Sequence, residues 1–285
     1  MSIAASQVKE LREMSGVGMM ECKKALVETD GDLEKALDLL RANSSLKAEK
    51  KASRVAADGE VKIAVSSEYT SLVEINSETD FAAKDSQFKD FASDVAMHLT
   101  NNKVFDIIDL SSSFEEKRQS LIQSIGENIQ LRRLQTLEVP SGGCIGTYVH
   151  SDGRLAALVS IDADNKELAK DLAMHVSATN PSCLQSEDID SELLERERSI
   201  FVAQAEESGK DASIMEKMVE GKVKRFLSEV TLISQGFIKN PDQSIGELLK
   251  ENHASIIAFV RFKVGEGIEV EAKDFAAEVA EQLQQ

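Results

Sequence analysis

The sequence has no tryptophan, three prolines and three cysteines in 285 residues. So little proline argues against long structureless linkers. Cys22, Cys144 and Cys183 are far apart and form no CxxC pair or other metal spacing. Their odd number fits a reducing compartment with free thiols. No apolar run approaches the ~18 residues of a transmembrane helix. The opening "MSIAASQVKELREM" lacks a basic stretch followed by a long apolar one, so no signal peptide is read there and a cytoplasmic protein is expected. Phosphate-cradling glycine loops, nucleophile elbows and a distinctive acid/base pair are missing. "GVGMME" is glycine-rich but follows no strand, which makes it a poor dinucleotide site. Positive charge is also short: the net charge is −17, which argues against nucleic acid as a partner. A partner protein with basic patches is compatible with that charge, and so is simple solubility.

What is present is a 42 % hydrophobic chain, enough for a core, with a length that suggests about two domains. Residues 1–54 read as three short helices. Val8, Leu11 and Ser15 form one stripe, Met19, Cys22 and Leu26 a second, and Leu33, Ala36, Leu37 and Leu40 a third, with Asp30 as its N-cap. "LKAEKKASRVAADG" reads as a linker. From Gly59 the period becomes two: Val61, Ile63 and Val65 alternate with polar or small residues, and "TSLVEIN" follows as a second strand. Phe88, Phe91, Ala92, Val95 and Leu99 then mark a helix. Gly126 is expected to cap the helix ending at Ile125, and "NIQLRRLQTLEV" to complete the first sheet.

The unit recurs. Gly59, Val61 and Val65 match Gly143, Ile145 and Val149; "LVEI" matches "LVSI"; "FASDVAMHL" matches "LAKDLAMHV". The strands match at an offset of 86 and the helices at 77, so the first copy holds nine extra residues between strand and helix. "ETDFAAKD" lies there, a candidate functional loop that the second copy lacks. Phe81 has two readings. Seven residues before Phe88, it could extend the buried stripe of one helix; within an insertion, it could instead be held out to touch something. Residues 187–228 read as an antiparallel helical hairpin, with Leu193, Leu194, Ile200, Phe201 and Ala205 facing Ile214, Met218, Val219, Val223 and Phe226. "ASIIAFVRFKVGEGIE" is expected to be a strand of the second sheet, followed by a short helix with Phe275, Val279 and Leu283.

His98 and His175 occupy equivalent positions in the repeat. They read as packed or hydrogen-bonded structural histidines, with a catalytic or metal pair as the alternative. His150 falls in a strand turn. Met20 points about 100° away from Met19 on its helix, so it either packs on the next helix or belongs to a binding surface. From pattern alone, the readings left open are an adaptor whose three-helix module binds a helical or ubiquitin-like partner, and an αβ enzyme using His98 and His175.

"LREMSGVGMMECKKALVETDGDLEKAL", "AADG", "TDFAAKD", "IGENI", "AMHV", "MVEGK" and "VRFKVGEGIE", in that order along nearly the whole chain, resemble the bacterial elongation factor Ts family. That resemblance implies an α+β protein: a ubiquitin-associated-like three-helix domain (1–54), a core of two repeated αβ subdomains with antiparallel sheets (55–140 and 141–263), a coiled-coil hairpin inserted at about 187–228, and a short C-terminal helical module (264–285). It implies a guanine-nucleotide exchange factor, not an enzyme, that needs no cofactor or metal of its own. Its partner would be elongation factor Tu, with a homodimer in a 2:2 complex as one arrangement and no nucleic acid or membrane involved. Thr79, Asp80, Phe81 and Ala82 would enter the GTPase near its magnesium; the family often has valine at the position of Ala82. Arg12, Met19, Met20 and Lys23 would contact it from the N-terminal domain, and Ile125, Gly126, His150 and Phe237 from the core. Gln235–Gly236–Phe237 stands where the family commonly has a Pro-Phe pair.

Overall fold

The computed structural model describes residues 3–269; the helix expected around Phe275 lies outside them. The chain is a mixture of helices and small sheets and divides into two compact units. Within the described residues, the first takes 3–62, 73–134 and 263–269, and the second 63–72 and 135–262.

The first unit begins with helices α1 (Ala5–Ser15), α2 (Met19–Glu28) and α3 (Leu33–Lys51). Their shared core is Val8, Leu11, Val17, Cys22, Ala25, Leu26, Ala36 and Leu40. Three expectations need correction here. Met19 is not in the α2 stripe: it is 46 % exposed, and Cys22, Ala25 and Leu26 carry the buried face. The N-cap of α3 is Asp32, whose side chain accepts the Lys35 amide at 3.1 Å, whereas Asp30 sits in the turn at φ 52°. The first six residues of the expected linker, 46–51, are helix, because the Ala-, Lys- and Glu-rich run up to Lys51 has high helix propensity and continues α3.

A three-stranded sheet follows, in the order β1 (Asp58–Val65), β2 (Tyr69–Ser77), β3 (Ile129–Glu138). The alternation expected in β1 slips: Val61 is buried, but so is Ala64, while Val65 is 55 % exposed. All of β2 is buried, polar residues included. Between β2 and β3 come α4 (Asp80–Lys84), α5 (Ser86–Asn101) and α6 (Ile107–Ile125). α5 buries the five residues of its expected stripe, and Gly126 closes α6 in the left-handed region at φ 89°.

The second unit contains the sheet β4 (Cys144–Val149), β5 (Leu155–Ile161), β8 (Ile256–Lys263). β4 and β5 are antiparallel, from Cys144 opposite Ile161 to Val149 opposite Ala156. Helix α7 (Lys166–Thr179) packs on both strands. The hairpin is α8 (Ser191–Glu206) and α9 (Ala212–Val230). Ala205 and Val219 are buried in its seam, and the Phe201 and Phe226 rings meet at 6.3 Å. Ile200 and Ile214, expected to face across it, are instead exposed. The short strands β6 (Gly236–Phe237) and β7 (Asn240–Ser244) and helix α10 (Ile245–Glu251) complete the unit.

The internal repeat has a physical signature. A Cβ on Gly59 would lie 2.0 Å from the Ile75 carbonyl oxygen, and one on Gly143 would lie 2.1 Å from that of Ile161. Each copy thus begins with a glycine pressed against the carbonyl of the matched isoleucine on the neighbouring strand. The matched histidines have diverged. His175 is fully buried: its Nδ1 accepts the Ile238 amide at 3.3 Å, which leaves Nε2 to donate to Gln235 Oε1 at 2.9 Å. His98 is half-buried with its ring edge-on to Phe114 at 5.3 Å.

Candidate partner-binding site

The nine extra residues of the first repeat do not form an open loop. They lengthen the strand, add the short helix α4 and lengthen the following helix. α4 is held at both ends. Thr79 is its N-cap, with Oγ1 accepting the Ala82 amide at 3.3 Å. Asp85 ends α4 in extended geometry (φ −62°, ψ 140°) and caps α5 by accepting the Gln87 amide at 2.8 Å. That break separates the helical phases of Phe81 and Phe88. Phe88 is fully buried; Phe81 is 81 % exposed, so the reading in which Phe81 extends the buried stripe is corrected. Ala82, one residue on, turns inward and is buried. Asp80 points along the surface and pairs with Lys84 one turn later.

Two of the sequence motifs meet at this point. The Glu127 carboxylate accepts both the Thr79 amide (3.0 Å) and its hydroxyl (2.7 Å). Glu78 in turn accepts the Asn128 amide at 2.6 Å. Asn128 donates its side-chain amide to the carbonyls of Ala52 and Arg54, and Lys51 donates to the Gly126 carbonyl. The segment with Ile125 and Gly126 is therefore tied both to the start of α4 and to the end of α3. Ser124 donates to the Gly16 carbonyl at 2.8 Å, which brings the turn before α2 to the same end of α6.

On α2 itself, Met20 is 66 % exposed and forms a shallow groove with Lys23, Lys24, Val27 and Glu28. Met20 and Val27 are two turns apart on one face, an apolar stripe flanked by ammonium groups. Arg12 and Lys23 are also exposed, and Ile125 and Gly126 are partly so.

The remaining two residues lie in the second unit. His150 is in the β4–β5 turn, half exposed, with Nδ1 3.1 Å from Asp152. The Arg154 amide, together with His150, holds the Asp152 carboxyl below the usual carboxylate range. Phe237 is only 6 % exposed; its ring is part of the core under the second sheet and stands 6.1 Å from His175. A Cβ at Gly236 would come 2.7 Å from the Pro241 carbonyl oxygen, so this turn has no room for the proline that the family resemblance places here. Glu127, Glu78 and Asp85 were not visible as site residues in the sequence. Their roles are long-range bonds and helix punctuation, which leave no periodic trace.

In the first unit, Phe81 on α4 and Met20 and Val27 on α2 leave large apolar side chains in solvent. The model of the family described as Elongation factor TS matches residues 78–266. The Elongation factor Ts of Hahella chejuensis is 51 % identical over 285 residues, covering 99 % of both chains. Those of Thioalkalivibrio sulfidiphilus and Saccharophagus degradans are 48 % and 49 % identical, each over 99 % of this chain and at least 98 % of their own. The chain belongs to the Elongation factor Ts family. Among the described residues, no helix is long and apolar enough to cross a membrane.

Proposed function

We propose that the chain is a guanine-nucleotide exchange factor: it binds elongation factor Tu in its GDP form, disturbs the magnesium and phosphate site, and promotes GDP release. The observation that carries this reading is Phe81, a phenyl ring 81 % exposed on a helix fixed at both ends. Free in solution, that ring costs hydration; buried between helices of a partner it contributes about 1.5–3 kcal/mol.

Asp80 adds charge at the same place. In the free chain it pairs with Lys84, an exposed i,i+4 contact worth under about 1 kcal/mol, which turning toward the partner's magnesium would give up. GDP is held by backbone amides and by that metal. A protein that binds the nucleotide-free form more tightly must weaken GDP binding by the same factor that GDP weakens its own. No covalent bond changes, so no chemical active site is invoked. Met20, with Lys23 and Arg12, supplies a first docking face; Ile125, Gly126 and His150 add contacts. Phe237 acts from the core, by supporting its turn.

The test is release of labelled GDP from elongation factor Tu. Substoichiometric amounts of the chain are expected to accelerate it; no acceleration would overturn the proposal.

A further inference from the structure

Glu127 is two residues past the end of α6, next to Gly126, and its carboxylate takes both donors of a single residue, Thr79. Thr79 Oγ1 also accepts the Ala82 amide. A hydroxyl has one hydrogen, so giving it to Glu127 turns its lone pairs toward Ala82, as an N-cap requires. The bonds thus run in one direction: Ala82 N–H to Thr79 Oγ1, Thr79 O–H to Glu127. A helix of five residues does not hold its own direction, because nucleating a turn costs more than its few hydrogen bonds return. Its aim must come from outside. The ties include Ala82 in the core, the Asp85 break, the Ser77 hydroxyl donating to the Thr79 carbonyl at 2.9 Å, and the Glu127 clamp, which is reinforced by the reciprocal Glu78–Asn128 bond.

We infer that Glu127 is a positioning residue for exchange: its carboxylate sets the Thr79 rotamer, and through that cap it aims the helix from which Phe81 projects. This rests on the exchange function proposed above. Glu127 then affects GDP release only through α4, the helix that carries Asp80 and Phe81.

The experiment is GDP release from elongation factor Tu at increasing concentrations of the full chain, read as maximal rate and half-saturating concentration, with circular dichroism and a melting curve for each variant. Glu127→Ala is expected to lower the maximal rate by about tenfold, as for loss of a hydrogen bond to a charged group. Its half-saturating concentration and melting temperature stay near wild type, because α2 still docks. Glu127→Gln, which keeps one acceptor oxygen, falls between the two. Thr79→Val reproduces the defect from the other side of the clamp, and Thr79→Ser restores the rate. Most telling, Glu127→Ala added to Phe81→Ala slows release by much less than it does alone. An additive double variant, or a wild-type maximal rate for Glu127→Ala while Phe81→Ala is slow, overturns the inference and leaves the exchange proposal standing. A wild-type rate for Phe81→Ala itself removes the inference and the role given to Phe81, whereas only absence of acceleration by the wild-type chain removes the exchange proposal.

Discussion

Replacing Glu74 with alanine should cost the first unit more stability than any other single loss of a charge. Glu74 is fully buried in the central strand β2. Its Oε1 accepts from Asn76 Nδ2 (3.0 Å), Arg132 Nη1 (3.0 Å) and the Gly265 amide (2.8 Å), and its Oε2 from Arg133 Nε. Arg132 and Arg133 continue to the Glu266 and Lys263 carbonyls, so one carboxylate fastens the turn after β8 to the sheet. Burial alone would raise its pKa, but the Gly265 amide, Asn76 and the two guanidinium groups together hold it below the usual glutamate value. Removing one partner of a buried pair costs about 3–5 kcal/mol. Here the surviving guanidinium groups are 24 % and 29 % exposed and can rehydrate in part, so the lower end, about 3 kcal/mol, applies. For a unit of this size that is a fall of roughly 6–12 °C in melting temperature. Calorimetry of wild type, Glu74→Ala and Glu115→Ala makes the comparison, since Glu115 pairs with Arg118 at a 40 % exposed site and its loss should stay below about 1 kcal/mol. The same pKa shift gives a pH signature: Glu74's contribution is complete above about pH 4.5, its unfolded value, and is lost as pH falls through the lower folded value. A melting shift for Glu74→Ala no larger than that for Glu115→Ala would refute the reasoning.

Two further outcomes concern the second unit. Burial pushes the His175 imidazole below the usual histidine pKa, and its hydrogen bond to Gln235 offsets only part of that. The unfolded chain therefore takes up a proton that the folded one resists; stability is complete above about pH 6.5 and falls below it, through loss of the Ile238 bond to Nδ1. Melting curves from pH 7.5 to 5.5 should drop for wild type and be flatter for His175→Gln; parallel curves would count against the assignment. Gly143→Ala would drive a methyl group into the Ile161 carbonyl, at 2.1 Å, and the Pro140 ring, at 2.7 Å. A loss of roughly 2–3 kcal/mol in chemical denaturation is expected, and a loss below about 0.5 kcal/mol would show that the strands part easily there.

Local periodicity made much of this fold legible before any coordinates. The α5 stripe from Phe88 to Leu99 and the Gly126 cap follow from neighbouring residues alone, and all are found as expected. The internal repeat was also readable, because Gly59 and Gly143 satisfy the same close approach. What failed depended on context. β1 changes phase between Ile63 and Ala64, and alternation cannot foresee a slip. β6 has only two residues, too few for any period. The basic end of α3 reads as a linker because its charges hide a run of good helix formers. At the candidate site, the inserted segment marked the place, but Phe81 stayed ambiguous between core and surface. Asp85 decides it by breaking the helix between Phe81 and Phe88. Glu127 lies inside the "IGENI" motif, but its role leaves no trace in sequence, since its partner is 48 residues away.

The central claim is that Phe81 works on a partner rather than on the fold. Its most direct test is GDP release from elongation factor Tu driven by wild type and by Phe81→Ala, with a melting curve for each. A ring that is 81 % exposed in the free chain and buried in the complex predicts release slowed by roughly ten- to a hundredfold, with circular dichroism and melting temperature unchanged. Unchanged release with a large loss of thermal stability would contradict the account and return Phe81 to the core.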